Sequence, residues 1–125
     1  MNDHLEHDIE HKHSIAEELA CHTPYAIVDI GPRTILNFAN HLKSARTLLW
    51  NGPVGMYEIK RFSHGTAALA RLFASRAKGK AYGVAGGGET ADALKDVGLA
   101  HYVDFISTGG GAMLEYLSGR KLPGL

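Results

Sequence analysis

Glycine carries most of the chemical information in this sequence, because it is gathered with a few polar residues into three short runs. These are Asn51-Gly52-Pro53-Val54-Gly55, closed by Glu58, then Gly86-Gly87-Gly88-Glu89-Thr90, then Ser107-Thr108-Gly109-Gly110-Gly111-Ala112. Each ends a short apolar, strand-like stretch and leads towards a helical pattern. A helix amino terminus presents unpaired N–H groups and about half a positive charge, and glycine lets a phosphate come close to the backbone. One such run is equally well a tight strand-to-helix connection. Three in one small chain point to a single phosphate-binding rim.

The polar residues around these runs suit a nucleotide. Glu89 would place a carboxylate beside a bound phosphate, where a magnesium ion bridging phosphate oxygens takes an oxygen ligand, and Thr90 would add a hydroxyl. Both also suit the first turn of any helix, for dipole and capping reasons, and the sequence leaves the two roles open. Glu58 is placed to accept hydrogen bonds from ribose hydroxyls, Asn51 and Pro53 to line the nucleotide's flank, and Trp50 to join the core. No GxxxxGK[ST] run, GxGxxG fingerprint, serine elbow or HExxH pair is present, which excludes the P-loop, dinucleotide, α/β-hydrolase and zincin readings.

The elements that must hold these runs follow from periodicity. Ser14 to Ala20 reads as a turn or two of helix stopped by Thr23-Pro24, and Tyr25–Ile30 reads as a buried strand. Gly31-Pro32 then opens a helix bearing Ile35, Phe38, Ala39 and Leu42 on one face up to Lys43. The strand at Thr47–Trp50 leads through the first glycine run to a helix from Ser63 to Ala77, with Phe62, Leu69, Leu72 and Phe73 turned inward. A strand from Lys80 to Ala85 precedes the second run and a short helix with Ala91, Leu94 and Val97, ended by Gly98 in a left-handed cap. A strand at Phe105–Ser107 precedes the third run and a helix with Met113, Leu114 and Leu117, capped at Gly119. Strands and helices alternating over such short connections predict an α/β fold, a Rossmann-like parallel sheet of four strands with flanking helices. The three runs would then share the carboxyl edge of the sheet, where such folds bind ligands.

Composition narrows the remaining classes. The chain has 125 residues, 45% of them hydrophobic, with 13 basic residues balanced by 13 acidic ones. That describes one folded domain without the basic stripe of a nucleic-acid binder. No apolar run is long enough to cross a bilayer or act as a signal sequence, and the single Cys21 forms no intrachain disulfide, so a cytoplasmic protein is expected. Cys21 lies in an amphipathic stretch with no glycine elbow around it and is read as structural or neutral. Residues 1–13, with His7 and His11 as well as Glu6 and Glu10 four apart, read as a polar, histidine-rich, flexible head and an accidental chelator. Residues 14–125 form the folded part.

WNGPVGMYE, GGGET and ISTGGGAMLEYLSGRKLPG, with DIGPRT before them, closely resemble the carboxyl-terminal part of phosphoglycerate kinase in order and spacing, from about Tyr25 to the end. The resemblance implies a partial nucleotide-binding domain over residues 14–125, the second half of that family's carboxyl-terminal domain. It implies a magnesium-dependent glycolytic enzyme that moves a phosphoryl group reversibly between 1,3-bisphosphoglycerate and ADP, giving 3-phosphoglycerate and ATP. Carried onto this sequence, it assigns Asn51, Gly52, Pro53, Val54 and Gly55 to the nucleotide pocket and Glu58 to the ribose. Gly87, Gly88, Glu89 and Thr90 would hold the phosphates, with Glu89 as metal ligand. Gly109, Gly110 and Gly111 would offer helix N–H groups to the transferring phosphoryl.

Two departures from the family matter. Glu89 stands where the family usually has aspartate, and the extra methylene moves the carboxylate by roughly 1.5 Å, which magnesium's strict octahedral geometry tolerates poorly. The family's amino-terminal, phosphoglycerate-binding domain and the first half of its nucleotide domain have no counterpart in this sequence. Phosphoglycerate binding and catalysis are therefore expected of the complete enzyme, and the alternative for this chain alone is a truncated, non-catalytic nucleotide- or phosphate-binding module. A sheet lacking its neighbours is also expected to self-associate through an exposed edge.

Overall fold

The computed structural model describes residues 26–122 and 124. The histidine-rich head, the helical turn expected after Ser14 and Cys21 lie outside the described residues. Helix α1 (Pro32–Ser44) opens as its sequence requires, with extended Gly31 at the N-cap and proline in the first turn, where its missing N–H is no loss. It packs chiefly against α2 (His64–Arg76). Strands β1 (Thr47–Asn51), β2 (Tyr82–Gly86) and β3 (Phe105–Ser107) pair in parallel in the order β1-β2-β3. Helix α2 connects β1 to β2, α3 (Gly88–Asp96) follows β2, and α4 (Gly110–Leu117) follows β3. This is the expected α/β, Rossmann-like arrangement.

Register decides which strand residues enter the core. Leu48 pairs with Gly83, Trp50 with Ala85, and Ala85 with Ile106, so these residues share one face of the sheet. That face carries the core, in which Leu48 and Ala85 pack with Ala70, Phe73 and Ala77 of the α2 segment, Leu94 of α3, and Val103. Burial of a side chain the size of Phe73 stabilises by about 1.5–3 kcal/mol. Gly83 allows α2 to approach, since a Cβ there would lie 2.6 Å from that of Ala77 and 3.2 Å from the Phe73 ring. Trp50 borders the core as expected, its ring 5.8 Å from that of Phe73. On the opposite face Leu49, Tyr82 and Phe105 are 50%, 55% and 56% exposed, and Met113 of α4 reaches over Gly86.

Within the described part of the strand expected over Tyr25–Ile30, residues 26–30 carry no strand, and among the described residues the sheet has three strands where four were expected. The segment's polar groups are engaged elsewhere. The Val28 carbonyl accepts the Met56 N–H at 2.8 Å, and the Asp29 carboxylate accepts the Gly65 N–H at 2.9 Å. A carboxylate in an apolar stretch needs such donors, and a helix start supplies them where a sheet ladder does not. Phe62, expected on the inner face of the helix, sits in a 3₁₀ turn (Lys60–Phe62) just before α2. The strand read from Lys80 begins at Tyr82, after a turn, and the N–H groups of Lys78 in the turn and Gly83 in the strand both donate to the Asp104 carboxylate, at 3.0 and 2.7 Å. Gly98, at φ 71°, ends α3 in the expected left-handed cap, with Leu99 N–H bonded back to the Leu94 carbonyl at 2.9 Å.

Candidate functional site

Because the three strands run in one direction, the glycine runs that follow them emerge on one edge of the sheet. Asn51 and Gly86, the last residues of β1 and β2, are register partners. The Asn51 side-chain oxygen points to where the runs meet: a Cβ on Gly110 would lie 2.6 Å from it, on Gly86 2.9 Å, and on Gly87 3.5 Å. A Cβ on Gly110 would also stand 2.9 Å from the Gly87 Cα and 3.0 Å from its nitrogen. The second and third loops thus touch backbone to backbone, which side chains would forbid. The Gly87 N–H donates to the Ser107 carbonyl at 2.7 Å and locks this approach.

The first loop is fastened to both of its neighbours. Gly52 and Gly55 take left-handed φ values of 94° and 63°. The Trp50 indole Nε1–H donates to the Gly52 carbonyl at 2.7 Å, and the Gly52 N–H donates to Thr90 Oγ1 at 2.7 Å. Thr66 Oγ1 accepts from the Val54 N–H at 3.0 Å and donates to the Val54 carbonyl at 2.8 Å. Thr66 and Thr90 are the two buried polar residues of the described chain, and both are satisfied by the loop. Thr90, which the sequence left between a ligand role and a cap, lines the same place and accepts the Gly52 N–H through its hydroxyl oxygen.

The loops enclose an open cavity of about 300 Å³. Of the residues expected at the site, Asn51, Gly52, Gly87, Gly88, Glu89, Thr90, Gly110 and Gly111 line it. Pro53, Val54, Gly55, Glu58 and Gly109 do not, while Gly86 and Thr108, flanking the expected positions, do. Neither α3 nor α4 has a side-chain cap, so the N-caps Gly87 and Gly109 leave the first N–H groups of both helices without the usual acceptor. Glu89 stands exposed in the first turn of α3. The Tyr57 hydroxyl has its pKa pushed up, first by partial burial and then by the charges of Glu89, Asp92, Glu58 and Asp96. Glu58 and Glu89 therefore act on one neighbourhood, although Glu58 is off the cavity wall. Among the described residues no three His, Cys, Asp or Glu side chains converge as a metal cage.

Residues 2–120 match the family model described as phosphoglycerate kinase. The chain belongs to the phosphoglycerate kinase family. Among solved structures it is similar to phosphoglycerate kinase from Coxiella burnetii, at 42% sequence identity and a TM-score of 0.72, over 81% of this chain and 26% of that one. It is also similar to phosphoglycerate kinase from Pyrococcus horikoshii OT3, at 35% identity and a TM-score of 0.67, over 84% of this chain and 26% of that one. The chain thus spans about a quarter of the length of these two phosphoglycerate kinases.

Two residues that organise this part of the phosphoglycerate kinase fold, Thr66 and Asp29, were not singled out from sequence; they hold the first loop and the start of α2. Thr108, named only as a member of the third run, joins the cavity wall, and Tyr57 feels the charges of Glu89, Asp92, Glu58 and Asp96. The only sequence signal for Thr66 was a β-branched hydroxyl residue in the first turn of a helix, and for Asp29 an acid inside an apolar run.

Proposed function

We propose that this chain forms part of a nucleotide-binding domain for reversible phosphoryl transfer from the acyl phosphate of 1,3-bisphosphoglycerate to ADP, a phosphotransferase reaction with a carboxyl-group acceptor in reverse. The observation that carries this reading is the meeting of three glycine loops around Asn51, with two uncapped helix starts at one cavity. Phosphoryl transfer asks little covalent chemistry of the protein and much positioning and charge neutralisation. The N–H groups of Gly88 and Glu89, beside the glycine backbone of Gly87, would hold the nucleotide phosphates, and those of Gly109 to Gly111 the transferring phosphoryl. Asn51 to Gly55 and Glu58 would orient the nucleoside.

Magnesium fits this donor set in one way. With a single exposed carboxylate on the wall and no three-ligand cage among the described residues, the ion would be held by Glu89 together with phosphate oxygens and water, as magnesium is in other nucleotide sites. When bound it would neutralise phosphate charge. Phosphoglycerate would be recognised by parts of the complete enzyme outside the matched quarter. That coverage favours a second reading for the chain by itself, nucleotide binding without catalysis.

Calorimetric titration of the folded chain with Mg-ADP tests the proposal, circular dichroism confirming the fold of each variant. Binding that is lost in Glu58→Ala and Glu89→Ala is expected, and no binding by a folded chain would overturn it. The exposed Leu49, Tyr82 and Phe105, with β1 and β3 at the sheet's edges, further support self-association. Light scattering should show concentration-dependent mass in the micromolar range, and a monodisperse monomer would count against it.

A further inference from the structure

We infer that Asp29 is a positioning residue for the 51–58 loop: it ties the start of α2 to a strap, residues 28–30, that also holds the loop's far end. The inference rests on reading that loop as part of the nucleotide site. Helix α2 begins without a local cap. Its N-cap Ser63 makes no cap bond, because the hydroxyl donates instead to the Lys60 carbonyl at 2.8 Å, and the first turn holds no acid. The acceptor comes from 36 residues away. Asp29 Oδ2 accepts the Gly65 N–H at 2.9 Å, while Oδ1 accepts the N–H of Ile30 at 2.8 Å.

The strap and the loop are shaped to each other. Val28, next to Asp29, accepts the Met56 N–H at 2.8 Å. A Cβ on Gly55 would lie 2.5 Å from the Val28 carbonyl oxygen and 2.8 Å from the Asp29 Cα, and a Cβ on Gly65 would collide with Asp29 Oδ1. Two glycines on different elements thus leave room for one aspartate. The residue after Gly65 is Thr66, whose hydroxyl holds both backbone groups of Val54. Asp29 therefore fixes the helix start from which Thr66 grips the middle of the loop, and its neighbour Val28 fixes the end. Both carboxylate oxygens accept N–H bonds, so asparagine would meet one of those donors with its own NH₂ group. The negative charge also sits where the helix dipole favours it.

The test uses the full chain with Asp29→Asn and Asp29→Ala, and Glu115→Gln as a charge-matched control on exposed α4 surface. Amide hydrogen exchange is read at Val54, Met56 and Gly65 and, for comparison, at Val84 and Ala85 in β2; Mg-ADP affinity is read by calorimetry. Asp29→Asn is expected to speed exchange at the first three amides about tenfold or more, the loss of a charge-assisted hydrogen bond, while β2 and the control hold their rates. Affinity should fall about tenfold, and further in Asp29→Ala. Unchanged loop protection, a uniform loss that includes β2, or wild-type affinity in Asp29→Asn would each overturn the inference. Should Asp29→Ala fail to fold, Asp29→Asn still decides. If the wild-type chain binds no Mg-ADP, it is the proposed function that fails, and the exchange pattern still decides whether Asp29 positions the loop.

Discussion

Gly110 and Gly111 are adjacent in the first turn of α4, share one propensity for the helix, and differ in their surroundings, so substituting each by alanine separates backbone propensity from the geometry of the site. Alanine stabilises a helix relative to glycine by up to about 1 kcal/mol, less at the first turn. At Gly111 nothing lies within 4 Å of an added Cβ, so Gly111→Ala should be neutral or stabilising within that limit. At Gly110 the Cβ would stand 2.6 Å from Asn51 Oδ1, 2.9 Å from the Gly87 Cα and 3.0 Å from the Gly87 nitrogen. Two of those atoms are backbone locked by the 2.7 Å bond from Gly87 to Ser107, so the loops must separate. Overpacking of this kind costs about 1–3 kcal/mol, which exceeds the propensity gain and leaves a net loss of about 1–2 kcal/mol. For a domain of this size that lowers Tm by roughly 5–15 °C. Thermal and urea denaturation of the two variants measure the difference, and Mg-ADP titration should show the greater loss in Gly110→Ala. Equal shifts in the two variants would refute the claim that the second and third loops meet through their glycines.

Thr66→Val leaves both backbone groups of Val54 without their partner in a buried place and should destabilise by about 1–3 kcal/mol in urea unfolding, with Thr66→Ser recovering most of the loss. Thr90→Val orphans the Gly52 N–H and should weaken Mg-ADP binding more than an exposed Asp92→Asn change does, as read by calorimetry. Asp104 is held below the usual carboxylate range, first by the Gly83 N–H and then by that of Lys78. A depressed folded-state pKa gives stability that is present above the unfolded value and lost as pH falls through the folded one. The stability gap between wild type and Asp104→Asn should therefore be full near neutrality and close on acidification below the ordinary carboxylate range, as measured by denaturation midpoints against pH, and a gap that persists in acid would contradict this. If magnesium is held as proposed, Glu89→Asp should bind Mg-ADP more tightly than wild type, because the shorter carboxylate would suit the ion's octahedral geometry better, and equal affinities by calorimetry would refute that.

Much of the fold was legible because it is written in short-range signals. Apolar stretches ending in glycine placed β1, β2 and β3 and the loops after them, and Gly98 and Gly119 announced the ends of α3 and α4 by their left-handed caps. The contacts that the sequence did not show act over long separations. Thr90 meets Gly52 across 38 residues, Asp29 meets Gly65 across 36, and Thr66 meets Val54 across 12. Sequence spacing shows that a hydroxyl or carboxylate is present and not which distant N–H it will satisfy. The strand wrongly expected over Tyr25–Ile30 has the same origin: an apolar run guarantees neither burial nor a ladder partner, Ile27 is exposed, and Val28 found its partner in the loop at Met56.

These long bonds explain why a glycine-rich site can be well defined. Glycine is chosen in the three loops for the approach it permits, and that same freedom makes each loop by itself a poor platform for holding a phosphate to within a few tenths of an ångström. The order comes from outside the loops: Thr90 on α3 and Thr66 on α2 hold the first loop, Ser107 at the end of β3 holds the second, and the Gly87–Gly110 contact sets the third against it. Each anchor sits on a helix or strand that also packs into the core around Phe73 and Leu94, or pairs in the sheet beside it. Loss of core packing should therefore loosen all three loops together, and loss of a single anchor should loosen one loop and strain its neighbour.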